Sequence, residues 1–358
     1  MPRALDPLTH TLVGANLAAT RLGGKTRLAT AALVAGANLP DVDSILYFTG
    51  HHDLALGFRR GWTHGILALV VLPFVLTGLL LLYDRLRPDP SRRASPRWLL
   101  ALSALAIVTH PTLDWLNNYG MRWLMPFDGS WSYGDAVFIM DPLLWLVLGA
   151  GWLAGRRPTR ALLITWALFT AAIAWVVGGR SNEYLLIVGV VAAALLFALL
   201  WRAKPERRHA FATGALAIAA LYMGGRLAAN ELTESAAREA LAAAGVTRVS
   251  RVMASPHPLD PRRWEIVAET PKVYRYGGWE WGSGLRLEED TLPVPRETPE
   301  WIAARRAPEV QGFMTWARFP WYEIERTPTE TRVWIQDARY ARRRGTGFGG
   351  ELVILPNR

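Results

Sequence analysis

The chain has 358 residues with no cysteine, 17 tryptophans and a formal net charge of +10, and 51% of its residues are hydrophobic. This composition is richer in apolar and interfacial side chains than that of an ordinary soluble protein, and it indicates a membrane protein. The lack of cysteine excludes disulfides, thiolate metal sites and cysteine nucleophiles. The arginines lie in short loops between apolar runs. This placement indicates that their charge determines the membrane topology rather than binding to a nucleic acid.

Eight apolar runs are predicted to be membrane segments. They are Leu5–Thr20, Leu28–Phe48, His64–Tyr83, Trp98–Tyr119, Ile139–Ala154, Ala161–Gly178, Tyr184–Trp201 and Ala210–Leu227. A bilayer core takes roughly 20 helical residues, so the first and fifth runs are short and fit tilted, re-entrant or partly buried helices. We therefore predict an all-α polytopic membrane domain over residues 1–230.

After about residue 230 the sequence changes character. Glu231–Gly245 is alanine-rich and charged, which predicts a helical linker. Between residues 246 and 358, runs such as Arg263–Glu269 and Thr331–Gln336 alternate apolar and polar residues between proline and glycine breakers, which predicts a β-rich domain. The many aromatic residues of this domain fit three roles: packing of its core, contact with lipid headgroups, or the lining of a substrate entrance.

The arginine and lysine residues of the membrane domain are distributed unequally between alternate loops. Most lie at 21–27, 85–97, 156–160 and 202–208, whereas the intervening loops carry only Arg59, Arg60, Arg122 and Arg180. Loops rich in basic residues stay in the cytoplasm. The N-terminus, the segment 119–141 and the β-rich domain are therefore predicted to be extracytoplasmic.

Metal-ligand residue types lie at or just inside the ends of the apolar runs. They are His10, Asp41, Asp43, His64, His110 and Asp114. With the predicted topology, all six side chains lie near the outer face of the membrane. Ionisable groups at membrane depth are costly and usually face a protein interior or a wet cavity. Their convergence on one face predicts a metal site.

The strongest local pattern is His110 followed by Asp114, because residues i and i+4 share one face of a helix. A buried His–Asp pair that stabilises the helix bundle is the alternative interpretation. Asp41 and Asp43 follow Pro40, where an unwound helix would turn both carboxylates toward one cavity. The alternative interpretation is that both are ordinary solvated acidic residues at a helix end. The predicted metal ligands are His10, Asp41, His64, His110 and Asp114.

Histidine and carboxylate ligands without cysteine suit Zn²⁺ best, with Mn²⁺ or Fe²⁺ as alternatives and with one ion or two. Such an ion lowers the pKa of bound water to about 7, which favours hydrolysis of an ester or phosphoester. Arg59 and Arg60 suit bidentate contact with a substrate phosphate, or equally the anchoring of an anionic headgroup.

Catalytic roles are predicted for Asp43, Arg60 and Asp135. Asp135 is preferred to Asp128 as the general base. Asp141 precedes Pro142 and fits either the metal shell or the N-cap of the fifth segment.

Four motifs resemble, in order and spacing, the YdjM/YbcI-like family of bacterial inner-membrane proteins. They are Asp6-Pro-Leu-Thr-His10-Thr, Asn38-Leu-Pro-Asp41-Val-Asp43, Arg60-Gly-Trp-Thr-His64-Gly and His110-Pro-Thr-Leu-Asp114. The resemblance extends through Asp141-Pro142 and implies a multi-pass inner-membrane protein with metal-dependent hydrolase activity. The last third of the chain does not contribute to it.

Taken together, these patterns predict a hydrolase that uses a metal-activated water on a membrane lipid or lipid-linked phosphoester. A non-enzymatic transporter or metal-stabilised membrane scaffold is the alternative. Transport would favour ligands near the membrane midplane, broken helices and internal repeats. The sequence shows no evident repeat and its candidate ligands lie near one face, so the hydrolase is preferred.

Overall fold

The computed structural model of the protein describes residues 6–49, 52–154, 159–178, 208–257, 260–343 and 350–356. The predicted seventh membrane segment, Tyr184–Trp201, and the basic residues at 202–207 lie outside these ranges. The described part of the chain consists of a helical N-terminal region and a β-sheet C-terminal region, as the sequence predicts.

The helical region has eight α-helices among the described residues. They are α1 (Pro7–Ala19), α2 (Ala29–Gly36), α3 (His52–Phe58), α4 (Ile66–Leu86), α5 (Pro96–Leu116), α6 (Pro142–Ala154), α7 (Arg160–Gly178) and α8 (Arg208–Ala243). Two 3₁₀ helices, Arg21–Gly24 and Leu39–Thr49, lie on either side of α2. Asp6 caps α1 by accepting a hydrogen bond from the Thr9 amide at 3.1 Å.

In the part of the chain that the structure describes, three helices, Ile66–Leu86, Pro96–Leu116 and His209–Ala243, are long and apolar enough to cross a membrane. The mean hydropathy of α4 is 2.7 over its best window, yet only 22% of that window is buried inside the protein. Its outward face carries Val70, Phe74 and Leu79, each more than half exposed. A helix with so much exposed apolar surface fits a lipid environment.

The predicted second segment, Leu28–Phe48, is not one helix, and the described residues do not support eight membrane segments. Helix α2 ends at Gly36, where the side chain of Asn38 donates to the carbonyl oxygen of Val34 at 2.8 Å. Pro40 lacks an amide proton for an α-helical bond, and the chain continues as a 3₁₀ helix.

Helices α4 and α5 form an antiparallel hairpin that determines where the candidate ligands meet. At one end, the Ser95 amide donates to Thr26 Oγ1 at 2.7 Å and the Ala94 amide to Asp84 at 3.2 Å. Two loops predicted to be cytoplasmic, 21–27 and 85–97, therefore lie together. The opposite end of the hairpin holds the start of α4 and the last turns of α5.

Helix α8 continues through the predicted eighth segment and the predicted linker. Its 36 residues extend about 54 Å. Near its start, Nδ1 of His209 lies 2.9 Å from the carbonyl oxygen of Ala19, at the end of α1. Farther along, the Asn230 amide group donates to Ala254 in the first strand at 2.6 Å. The C-terminal region therefore lies at the end of the helices where α1 begins.

The described part of the C-terminal region has two antiparallel sheets, two short α-helices and a 3₁₀ helix, Pro308–Val310. One sheet has the order β1 (Arg251–Pro256), β2 (Arg263–Glu269), β3 (Val273–Glu280) and β4 (Gly284–Pro293), and the other β5 (Pro320–Arg326), β6 (Glu330–Asp337) and β7 (Gly350–Pro356). The chain forms α9 (Pro299–Arg305) and α10 (Gln311–Trp316) between them. Trp264, Trp316 and Trp321 are buried, so core packing is the role of most of the predicted aromatic residues, whereas Trp281 is exposed.

Candidate metal centre

Four helical elements bring the candidate ligands to one place. His110 and Asp114 lie on adjacent turns of α5, and His64 lies in the turn that precedes α4. Asp41 lies on the 3₁₀ helix Leu39–Thr49, and His10 on the first turns of α1. Because α4 and α5 are antiparallel, the turn before α4 meets the end of α5.

Asp41, His64, His110 and Asp114 each offer one ligand atom, and these four atoms lie within 4.8 Å of one another. The His64 and His110 Nε2 atoms are 3.2 Å apart. Asp114 Oδ2 lies 3.2 Å from His64 Nε2 and 3.6 Å from His110 Nε2, and Asp41 Oδ1 lies 3.8 Å from His110 Nε2.

The hydrogen bonds around the two imidazoles determine where their protons lie. His110 Nδ1 is 2.7 Å from the carbonyl oxygen of Ala37, which can only accept, so a neutral ring carries its proton on Nδ1. The Thr63 hydroxyl donates to Asp43 at 3.0 Å, and its oxygen, 2.9 Å from His64 Nδ1, then accepts from that ring. Both Nε2 atoms therefore present lone pairs to each other.

Among the described residues, the buried Oδ2 atom of Asp114 has no hydrogen-bond partner. This oxygen faces the lone pairs of His64 and His110. Three electron-rich atoms at these distances repel one another in a buried pocket unless a cation lies among them. Tetrahedral coordination with bonds of about 2.0–2.1 Å separates ligand atoms by roughly 3.3 Å, so the residues fit a divalent transition metal.

His10 lies beside the four-residue cluster. Its ring stacks on His110 with centroids 3.7 Å apart, and its Nε2 atom is 3.4 Å from Asp114 Oδ1, the oxygen that also pairs with Arg60. Its assignment as a fifth ligand stays a prediction.

Asp43 and Arg60 lie beside the cluster, and both side chains are buried. Asp43 Oδ2 accepts hydrogen bonds from the Arg60 amide and from Thr63, both at 3.0 Å. The Arg60 guanidinium lies 2.7 Å from Asp114 Oδ1 and donates to Asn117 Oδ1 at 3.0 Å. Both side chains thus orient the predicted ligands, and Arg60 is already occupied by protein acceptors.

Arg59 lies nearer the exposed edge of the cluster. Its guanidinium is 3.4 Å from Asp41 and 3.8 Å from Asp43. The Asp41 side chain is 14% exposed, whereas His64 and His110 are fully buried. Any molecule that approaches the cluster along this edge meets Asp41 first, because the Arg59 side chain is only 3% exposed.

The other candidate carboxylates have partners outside the cluster. Asp135 forms a 2.6 Å ion pair with Arg318 of the C-terminal region, so its assignment as general base stays a prediction. Asp128 is bound to Ser130 at the surface. Asp141 accepts from the Leu143 amide at 2.9 Å, which is the N-cap role considered from the sequence.

A small cleft of about 20 Å³, enough for about one water molecule, lies beside His10 and Asp114, between α1, α5 and α6. Its polar walls include Asp6 and Asp141, both engaged in hydrogen bonds. Two carboxylates disfavour an anionic group there, so the cleft suits water or a neutral hydroxyl.

The C-terminal region supports the loop that holds Arg60. Arg339 donates to the Asn118 carbonyl oxygen at 3.1 Å, as does the Tyr340 hydroxyl. Next to Asn118, the Asn117 side chain accepts from Arg60, which pairs with Asp114. The sequence did not single out Arg339 or Tyr340 as supports of the site. The amides of Asn117 and Asn118, directly after the helix that carries His110 and Asp114, were the local signal for further polar groups at this pocket.

Arg339→Ala should destabilise the C-terminal region. Arg339 forms a 3.0 Å ion pair with Asp337, and both side chains are fully buried. Removal of the guanidinium leaves a buried carboxylate without its counterion, which should lower the free energy of unfolding by about 3–5 kcal/mol. Denaturant unfolding followed by tryptophan fluorescence measures this loss, and Arg286→Ala, at an exposed position on β4, is the control.

The Asp337–Arg339 pair also predicts a pH dependence. Burial opposes the charge of Asp337, but Arg339 outweighs burial and holds the pKa of this carboxyl below its usual value. The stabilisation is therefore present above about pH 4 and is lost as the pH falls through the lowered pKa of the folded state. If Arg339→Ala unfolds like the parent protein at pH 7, the pair does not stabilise this region.

Comparisons with known proteins support the resemblance seen in the four motifs. The uncharacterized protein YfhP of Bacillus subtilis is 27% identical over 165 residues, which are 43% of this chain and 48% of YfhP. The chain thus matches about half the length of this curated relative. No solved structure matches the chain. The profile of the YdjM inner membrane protein family matches residues 5–184, half of the chain, and the chain belongs to that family.

Proposed function

We propose that the protein is a metal-dependent hydrolase of the bacterial inner membrane that acts on a lipid or lipid-linked phosphoester. One observation supports this most strongly: His64 Nε2, His110 Nε2 and Asp114 Oδ2 converge in a buried pocket, where neutral rings that donate through Nδ1 turn their Nε2 lone pairs toward the carboxylate and cause repulsion. A divalent metal, Zn²⁺ first by ligand type, relieves that repulsion. When bound, such an ion lowers the pKa of water to about 7 and polarises a phosphoryl oxygen.

The charges around the cluster favour an anionic substrate once a metal is present. Three carboxylates, on Asp41, Asp43 and Asp114, face the two guanidiniums of Arg59 and Arg60. The five side chains carry one net negative charge, which a divalent ion turns into one net positive charge. A phosphodiester carries one negative charge and matches this balance.

The protein's own residues have distinct tasks in this proposal. Arg60 holds Asp114 in place, and Asp43 with Thr63 holds the His64 ring. Arg59 rather than Arg60 contacts the substrate phosphate in this proposal, because its partner Asp41, at 3.4 Å, is the least buried member of the cluster.

A metal-stabilised scaffold is the second candidate function, and the number of ligands favours it. Structural sites usually fill all four positions with protein atoms, whereas catalytic sites keep one open. The cluster offers four protein atoms, but Asp41 lies farthest from the others, is shared with Arg59 and is the most exposed. The proposed hydrolase activity therefore requires that a water molecule or the substrate occupies a metal coordination position near Asp41.

An activity screen decides between the two functions. Detergent-purified protein is loaded with Zn²⁺ or Mn²⁺ and incubated with phosphatidylglycerol and with undecaprenyl phosphate. We expect hydrolysis that a chelator stops and added metal restores. A metal-loaded preparation that hydrolyses no phosphoester or carboxyl-ester lipid would favour the scaffold.

We further propose that the metal centre and the C-terminal region face the extracytoplasmic side. The unequal distribution of arginine supports this orientation, as does the contact between loops 21–27 and 85–97 at the opposite end of the helices. A periplasm-active reporter at Arg358 and a cytoplasm-active reporter between Arg87 and Ser95 should both be active. If both reporters are silent, the orientation is reversed.

A further inference from the structure

The 3₁₀ helix Leu39–Thr49 has two faces of opposite character. In a 3₁₀ helix, residues i and i+3 lie directly above one another. One row, Pro40 and Asp43, is buried against the metal centre. The next row, which we call the apolar ridge, consists of Val42, Ile45 and Phe48, whose side chains are 47%, 61% and 75% exposed. This helix thus exposes one row of apolar residues and buries the carboxylate of Asp43.

The 3₁₀ helix that carries the apolar ridge packs beside α4. Asp43 on the 3₁₀ helix contacts Arg60 and Thr63, which directly precede α4. The first turns of α4 expose Ile66 and Leu67, and its exposed apolar face continues along the candidate span. The ridge therefore lies where α4 leaves the membrane, at the depth where apolar side chains contact lipid.

The ridge adjoins the most accessible ligand of the metal centre. Asp41 lies between Pro40 and Val42, and it is the one member of the four-residue cluster that is not fully buried. On another side, Arg60 lies over the Tyr119 ring at 4.4 Å, and Tyr119 packs against Trp316 of the C-terminal region at 5.1 Å. The C-terminal region thus covers the cluster on that side, whereas the edge at Asp41 adjoins the ridge.

We propose that the substrate is a membrane lipid that reaches Asp41 sideways from the bilayer. Its acyl chains lie along the apolar ridge, and its anionic headgroup lies between Arg59 and the metal centre. The choice of substrate rests on the proposed hydrolase function, whereas the membrane contact of the ridge does not. The two parts are therefore tested separately.

The membrane contact is tested by spin labelling, for which the chain is suited because it has no cysteine of its own. Nitroxide labels are placed at Ile45→Cys, at Phe74→Cys on the lipid-facing side of α4, and at Glu289→Cys on an exposed position of β4. Each labelled protein is inserted in vesicles of phosphatidylethanolamine and phosphatidylglycerol. Strong relaxation of the nitroxide by oxygen indicates that the label lies in lipid. Strong relaxation by a water-soluble nickel complex indicates that the label is exposed to water.

We expect the label at residue 45 to behave as the label at 74 does, with strong relaxation by oxygen and weak relaxation by nickel. A label at 45 that responds as the label at 289 does would overturn the proposal, because the ridge would then face water. This result requires neither metal nor catalytic activity.

The route of the substrate is tested by comparing two substrates with one headgroup. Ile45→Ser should lower the ratio of the rate on vesicle phosphatidylglycerol to the rate on soluble dihexanoyl phosphatidylglycerol by at least about fivefold, because an exposed isoleucine is a large part of the apolar contact. Glu289→Ser should leave the ratio unchanged. An unchanged ratio in Ile45→Ser overturns the sideways route. If the parent protein hydrolyses neither lipid, the hydrolase function fails, and the label at 45 still decides the membrane contact.

Discussion

Replacement of His110 or His64 by alanine should weaken the affinity of the purified protein for Zn²⁺ by at least about 100-fold. Residues that merely orient a ligand typically contribute 10–100-fold to metal affinity, so loss of a ligand should cost at least the upper part of that range. The two Nε2 atoms lie 3.2 Å apart with lone pairs facing each other, and each alanine removes one of them. Elemental analysis and competition with a chromophoric chelator measure the loss.

The chain offers a matched control in His209. This histidine is exposed and contacts Ala19 near the opposite end of the helices, so His209→Ala should bind metal as the parent protein does. Thr63→Val, which removes the hydroxyl that orients His64, should give an intermediate loss of about 10-fold. Full metal occupancy in both His64→Ala and His110→Ala, with an intact fold, would show that these histidines have packing roles only.

Asp114→Asn and Asp41→Asn should each lower the rate of lipid phosphoester hydrolysis by at least about 100-fold. Both substitutions keep the shape of the side chain and remove the negative charge of a proposed ligand. They differ in their expected effect on stability. Asp114 pairs with the buried Arg60 at 2.7 Å, so Asp114→Asn leaves that guanidinium without its counterion.

Asp41→Asn is the better test of catalysis. Its partner Arg59 retains Asp43 at 3.8 Å, so we expect a variant that folds and inserts in the membrane but does not turn over. Size-exclusion behaviour in detergent and helix content by circular dichroism establish the fold. Parent-like hydrolysis in a folded Asp41→Asn variant and in a folded Asp114→Asn variant would contradict the assignment of these residues to a catalytic metal centre.

Several features of the site could be predicted because they depend on local periodicity. His110 and Asp114 share a helix face, and the structure places His110 Nε2 3.6 Å from Asp114 Oδ2. Pro40 marked a place where the α-helix could unwind, and a 3₁₀ helix follows α2 there. The length and apolar character of α4 and α5 predicted two candidate membrane spans.

The number of membrane segments could not be predicted from the sequence, because an apolar run does not by itself distinguish a membrane span from a segment buried in the protein. The run Leu28–Phe48 combines a short α-helix with the 3₁₀ helix that holds Asp41. The contact of Arg60 with Asp114, 54 residues away, was also not predictable. The catalytic role of Arg60 stays a prediction.

The sequence alone determined the candidate ligand types, their places at the ends of apolar runs and the membership of an inner-membrane family, since these depend on composition, motifs and spacing along the chain. Only the tertiary structure decided which atoms meet. His64 and His110 are 46 residues apart and Arg339 is 221 residues from Asn118, and such contacts depend on how the α4–α5 hairpin and the C-terminal region pack. Packing of this kind is a property of the whole fold, and no local pattern records it.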